Sequence, residues 1–391
     1  VAQEVDVVQL TQALVRLPTV NPPGDEEHCA RWLAAFLSEQ GFSVRLHVFG
    51  ARRVNLLAEL PGQGDSPWLG FSGHLDTVPL GAAEWSHDPF GGTVAHGLLY
   101  GRGATDMKSG IAAFICACLR SRSALRACRG VRLLLTGGEE TGCEGARALK
   151  ASVDEALQDL GALIVGEPTQ NYPHVGHKGA LWLRGIASGV TAHGSMPEAG
   201  DNAIYKIVAA VRSVSRYARP ERHALMGGAT VNVGTIAGGS NVNSVPDRAS
   251  FELDLRTIPG IDHAALRGDL AARVGSEVRL ETLVDVPPLV TDTMDPWLRR
   301  VFACCAPYHG EDIVPKVVPY FTDGSVLVPP DGSLPAVILG PGEPQMMHKT
   351  DEYCRVERLR EAVPLYSAIL ADWAAQPVAR AHAAPIAALD A

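Results

Sequence analysis

The chain has 391 residues, 46% of them hydrophobic and 20% charged, with a formal net charge of −9. These proportions exclude a disordered or collagen-like chain, and the acidic balance argues against nucleic acid as a partner. The length predicts two domains rather than one core, and no apolar run approaches the ~20 residues that would cross a bilayer, so no membrane association is expected.

Apolar positions at helical spacing predict helices over residues 5–16 and 26–40, and short strands follow at Ser43–Val48 and Val54–Leu60. Trp68–Ser72, Val131–Thr136 and Ala162–Val165 are continuous apolar runs bounded by Gly, Asp or Pro, as expected of strands buried on both faces. Between the first two of these lies Met107–Leu119, a helix candidate whose one breaker is Gly110. Strands alternating with helices predict an α/β catalytic domain, a mostly parallel sheet with helices on both faces. From Lys178-Gly179 the order changes to strand Leu181–Ser188, helix Ala203–Tyr217, strands Thr230–Ile236 and Ala249–Leu255, helix His263–Val274 and strand Glu277–Val284. That βαββαβ order is ferredoxin-like. After Pro287-Pro288 the α/β character returns with helix Pro296–Cys304, strand Ala336–Leu339 and helix Glu357–Trp373. The expected organisation is a catalytic domain made of residues 1–178 and 293–391, interrupted by an inserted α+β domain at 179–292. The Ala/Pro-rich tail from Gln376 is expected to fray.

Eight cysteines, at 29, 116, 118, 128, 143, 304, 305 and 354, form no C-x-x-C pair and read as buried free thiols. Val1–Val20 shows no basic segment leading into an apolar core, so no secretion signal is visible. Together these features predict a reducing, cytoplasmic setting.

Histidines and carboxylates gather where strands should end. Gly73-His74-Leu75-Asp76 follows the first buried strand, Gly137-Gly138-Glu139-Glu140 the second and Gly166-Glu167-Pro168 the third, while Gly103-Ala104-Thr105-Asp106 leads into a helix. The carboxyl ends of strands are where open α/β sheets bind ligands. Each group alone has an ordinary reading: His74 as a satisfied loop residue, Asp106 as a helix cap, Glu139-Glu140 as a solvated turn. Three such groups at strand ends and a fourth before a helix instead suit a divalent metal site, in which imidazole and carboxylate are the donors and one carboxylate can bridge two ions. No phosphate-binding G-x-x-x-x-G-K-[ST] loop and no Gly-x-Ser-x-Gly nucleophile elbow occurs.

With Ser72–Pro79, Gly101–Lys108, Gly138-Glu139-Glu140, Val165–Thr169, Ala192–Pro197, Asn243–Pro246, Asp254-Leu255-Arg256 and Met347–Glu352 in this order, the chain resembles the dinuclear zinc aminoacylase and carboxypeptidase family, of the acetylornithine deacetylase and succinyl-diaminopimelate desuccinylase kind. The resemblance covers nearly the whole chain. It implies that Asp106 bridges two divalent ions, zinc by preference with cobalt or manganese as substitutes. His74 and Glu167 would complete one site, Glu140 and His348 the other. It further implies Glu139 as general base and Asp76 as the carboxylate that orients His74. The inserted domain would be a lid that forms a homodimer, with His193 reaching the partner's active site to stabilise the oxyanion. Asn243 and Arg256 would hold a substrate carboxylate, and Gly324 would lie in a substrate loop. Arginine suits that task because its planar fork pairs with a carboxylate through two bonds.

The expected activity is metal-dependent hydrolysis of a C–N bond: N-deacylation of an acylated amino acid, or cleavage of a small peptide with a free carboxylate. Two other readings stand beside it, hydrolysis of an amidine, carbamoyl or aryl-amine bond on the same scaffold, and a non-catalytic binding homologue.

Overall fold

The computed structural model describes residues 5–310 and 312–375. The tail from Gln376 lies outside the described residues. The chain divides into two compact units, one running to Gly176 and resuming with Val290–Lys316 and from Thr322 onward, the other comprising His177–Leu289 with Val317–Phe321. The short return to the second unit was not foreseen from the sequence. Its basis is aromatic, since Phe321 packs edge-on against Trp182 with ring centroids 5.9 Å apart.

The first unit is built on a sheet with strand order Ser43–Gly50, Arg53–Pro61, Gly130–Thr136, Trp68–His74, Leu160–Val165, Ala336–Ile338 and then His174–His177. Its four central strands, from Gly130–Thr136 to Ala336–Ile338, are mutually parallel. The strands outside them join antiparallel. The central pair explains this layout. Every residue of Trp68–His74 and of Gly130–Thr136 is buried, as strands covered on both faces must be. Helix Ser109–Arg120 packs on Trp68–His74, and helix Val356–Ala375 lies over it. Phe71, Phe114 and Tyr366, one from each of these three elements, form a stacked and edge-on cluster with centroids 4.2 to 6.2 Å apart.

Gly110 is no defect in its helix. A Cβ there would lie 2.1 Å from the carbonyl oxygen of Gly166, so glycine lets the helix close on the turn that carries Glu167. A small sheet of Val94–Ala95, Leu98–Tyr100 and Tyr353–Arg355 joins the segment before Asp106 to the one after His348. Strands of two or three residues leave no readable period, so the apolar pattern does not predict them, nor does it predict the helix Glu144–Gln158.

In the second unit the sheet order is Thr230–Gly238, Arg248–Thr257, Gly179–Ser188 and Val278–Val286, antiparallel throughout. Two helices, Ala203–Val214 and His263–Val274, pack against it. This is the ferredoxin-like arrangement. All eight cysteines are free, and seven of them are buried. No helix among the described residues is long and apolar enough to cross a membrane.

Candidate metal centre

His74 ends its strand with its ring buried, 2% exposed. The Nδ1 atom lies 2.9 Å from the backbone carbonyl of Asp76. A carbonyl only accepts, so Nδ1 carries a proton and Nε2 is the ring atom turned toward Asp106. The Asp76 carboxylate lies 3.7 Å from Nδ1, too far for a hydrogen bond. The orienting group is thus the carbonyl and not the carboxylate the sequence pointed to. The Asp76 carboxylate instead accepts from the backbone N–H groups of Glu139 and Glu140, both at 3.2 Å, and from Asn21 Nδ2 at 2.9 Å. It therefore fixes the turn of the acidic pair. Asn21 also donates to Thr141 Oγ1 at 3.0 Å, a contact with no local signal in the sequence.

Two groups of donors result. His74, Asp106 and Glu167 bring ligand atoms within 4.8 Å of one another, and so do Asp106, Glu140 and His348. Asp106 belongs to both, with Oδ1 3.1 Å from His74 Nε2 and Oδ2 3.5 Å from His348 Nε2. His348 Nε2 also lies 3.0 Å from Glu140 Oε2, and His74 Nε2 lies 3.7 Å from Glu167 Oε1. Glu139 is buried beside both groups and belongs to neither.

The electrostatics record how crowded these charges are. Burial disfavours the His74 imidazolium, yet its hydrogen bond to Asp106 and the charges of Glu167, Asp106 and Glu139 raise its pKa well above the ordinary value. Hydrogen bonds to Asp106 and Glu140 push His348 up to about 10. Burial pulls Asp106 upward, but hydrogen bonds from His348 and His74 hold it below the usual carboxylate range. Glu139 and Glu167 are raised well above that range, first by burial and then by neighbouring carboxylates against the pull of His74. Asp323, a further buried carboxylate directly before Gly324, is raised to about 6 by burial and lies in the field of the same groups. Glu139 Oε1, Glu140 Oε1 and Asp323 Oδ1 are buried without a hydrogen-bond partner. Buried acceptors in excess, with the Nε2 atoms of two imidazoles facing them, fit divalent cations.

The remaining candidates fall elsewhere. Gly324 opens the short helix Gly324–Leu327 directly after Asp323. His193, Asn243 and Arg256 belong to the second unit. There His193 and Asn243 sit on adjoining loops, with Gly194 N–H donating to Asn243 O at 2.7 Å. His193 is exposed, and its Nδ1 accepts from the Ser195 backbone N–H at 3.2 Å. In the neutral ring that leaves Nε2–H as an outward donor. Arg256 pairs with Asp254 at 3.0 Å and lies over the Trp182 ring at 5.9 Å.

The profile of peptidase family M20/M25/M40 matches residues 70–372. A probable succinyl-diaminopimelate desuccinylase of Staphylococcus epidermidis is 31% identical over 402 aligned positions, covering 94% of this chain and 97% of that protein. The M20 metallo-carboxypeptidase Sso-CP2 of Sulfolobus solfataricus superposes with a TM-score of 0.81 at 17% identity, over 95% of this chain and 100% of the other. The YXEP protein of Bacillus subtilis, a dinuclear metal-binding peptidase of the M20 family, does so with 0.67 at 15% identity, over 94% and 97%. This chain belongs to peptidase family M20/M25/M40 and is a metal-dependent hydrolase.

Proposed function

We propose that the protein removes the acyl group from an N-acylated amino acid that keeps a free carboxylate, using a two-ion centre whose shared ligand is Asp106. The observation that carries this reading is the pair of donor triads meeting on the two oxygens of that one carboxylate. His74 and Glu167 serve one ion, Glu140 and His348 the other. Zinc is the preferred ion, because imidazole and carboxylate donors suit it. Bound there, the ions would supply Lewis-acid chemistry, polarising the scissile carbonyl and acidifying water. Glu139 takes the proton of the attacking water on its unpartnered Oε1 and delivers it to the leaving nitrogen. Asp76 holds Glu139 and Glu140 in register through their N–H groups. The desuccinylase name of the 31% identical relative favours succinyl as the acyl group. Cleavage of a dipeptide by the same groups is the neighbouring possibility.

Asn243 and Arg256 bind the substrate carboxylate, the Gly324 turn lines the acyl side, and His193 of the partner subunit donates Nε2–H to the oxyanion. A homodimer through the inserted domain is supported by that domain's surface. Strand Thr230–Gly238 is an edge of its sheet, and Ile236 on it, with Tyr205 and Val208 on the adjoining helix, is exposed at 57%, 73% and 51%. Open edges beside apolar side chains favour pairing with a second copy. Free cysteines throughout support a cytoplasmic setting. The test is a panel of N-acyl amino acids and dipeptides, assayed on chelated protein and again after addition of zinc, cobalt or manganese. Turnover of N-succinyl amino acids restored by metal is expected; full activity of verified metal-free protein would sink the reading.

A further inference from the structure

We infer that Arg102 and Glu352 form a buried positioning pair that sets the spacing of the metal ligands. Glu352 fixes the backbone that carries Asp106, and Arg102 ties that backbone to the segments of His74 and His348. The inference rests on the metal-centre reading above. Both side chains are almost wholly buried, at 1% exposure each. Four donors converge on the two oxygens of Glu352. Oε2 accepts from Arg102 Nη1 at 2.6 Å and from Gly103 N–H at 3.1 Å, and Oε1 accepts from Thr105 N–H at 2.8 Å and Asp106 N–H at 3.1 Å.

Three of those donors belong to the turn that ends in the shared ligand. Asp106 and Met107 leave helical geometry, at φ −119°, ψ 93° and φ −134°, ψ 33°, so a regular helical ladder does not hold the Asp106 N–H. Glu352 supplies the acceptor instead. Arg102 spends its remaining bonds on the flanking segments. Nη1 donates to the carbonyl of Lys349, the residue after His348, at 3.2 Å. Nη2 donates to the carbonyl of Pro79, on the loop leaving His74-Leu75-Asp76, at 3.0 Å. The Trp85 ring, 5.2 Å from the guanidinium carbon, covers its face. A buried ion pair is a poor source of stability against an apolar replacement. The worth of this one lies in geometry: three segments bearing His74, Asp106 and His348 are joined through one carboxylate and one guanidinium.

The test compares Glu352→Gln and the double variant Arg102→Met/Glu352→Gln with the parent, and with Glu59→Gln/Arg132→Met. The last removes a part-buried ion pair, at 2.7 Å, between two strands of the same unit. In Glu352→Gln the amide NH2 faces an N–H donor whichever way it turns. The double variant leaves no unpaired buried charge. Folding is read by circular dichroism of the metal-free proteins, zinc affinity by competition with a chromophoric chelator, and ligand geometry by the visible spectrum of the cobalt form. Both Glu352 variants are expected to fold, to bind zinc about 10–100-fold more weakly and to show an altered cobalt spectrum, with kcat falling more than KM rises. The Glu59/Arg132 variant should keep the parent's affinity and spectrum. Folded Glu352 variants with the parent's zinc affinity and cobalt spectrum would overturn the inference. So would loss of fold in both while the Glu59/Arg132 variant folds, since the pair would then be structural only. A parent protein that binds no zinc overturns the metal-centre reading itself, and the two failures are thereby told apart.

Discussion

Glu139→Gln separates proton transfer from metal binding. Glu139 contributes to neither donor triad, its backbone N–H bond to Asp76 survives the change, and its Oε1 has no partner to lose. Metal content should therefore stay at the parent's level. Turnover should fall by ~10²–10⁴, the usual cost of losing a general base. That corresponds to about 3–5 kcal/mol of barrier at about 1.4 kcal/mol per tenfold. A second consequence has the opposite sign. Burial and the charges of Glu167, Glu140 and Asp323 raise the Glu139 pKa in the folded, metal-free protein. A raised carboxyl pKa penalises the folded state as pH climbs above the ordinary glutamate range, and the penalty is absent below it. The metal-free Gln variant should thus melt above the parent at pH 8, the gap closing toward pH 4. The assays are metal analysis, initial rates at saturating substrate and thermal unfolding with and without chelator. A variant that keeps its metal and more than about a tenth of parent turnover would refute the general-base role. If Glu139→Gln lost metal while Glu140→Gln kept it, the roles within the acidic pair would be reversed.

Asp106→Ala should lose both ions under conditions where Glu167→Ala and His348→Ala each weaken one, as read by metal stoichiometry after dialysis; retention of one tight ion in Asp106→Ala contradicts a shared ligand. Because His348 holds a proton up to about 10 and His74 is raised as well, metal uptake at pH 7 should release protons. Calorimetry in buffers of different ionisation enthalpy measures that release, and none would mean that the imidazoles are not ligands. Mixing inactive Glu139→Gln with inactive His193→Ala should restore part of the activity after subunit exchange, since a mixed dimer contains one site with both residues intact; no recovery after verified exchange rules out a shared site. Tyr205→Asp/Ile236→Lys should sediment as a monomer that keeps its metal, and a variant still dimeric would exclude the edge of the inserted domain as the interface.

The parts of the centre that were legible in the sequence are local ones. His74 and Glu167 follow continuous apolar strands directly, and Glu139-Glu140 comes a Gly-Gly turn after one, so a strand end and a donor can be read together. His348 came only from the family resemblance. It sits at φ +62° on the loop between the 3-10 turn Pro344–Met346 and the strand Tyr353–Arg355, where an isolated histidine is commonplace. The supports of the centre were not legible, because their partners meet only through the fold. Arg102 and Glu352 are 250 positions apart, and Asn21 and Asp76 are 55 apart. Asp76 teaches a finer lesson. Two residues from His74, it was the natural orienting carboxylate, but the chain turns so that its carbonyl meets the ring and its carboxylate faces the acidic turn. The helix Glu144–Gln158 begins without a side-chain cap, after Cys143 at φ +62°, so the start signal that marks most helices is missing.

A two-ion centre shared through Asp106 underlies the proposed function. Anomalous scattering from crystals grown with zinc, recorded on either side of the zinc absorption edge, tests it most directly. Two peaks ~3.5–4 Å apart are expected, one on each side of the Asp106 carboxylate, the first beside His74 and Glu167 and the second beside Glu140 and His348. A single peak, or peaks away from Asp106 at full zinc occupancy, would contradict it.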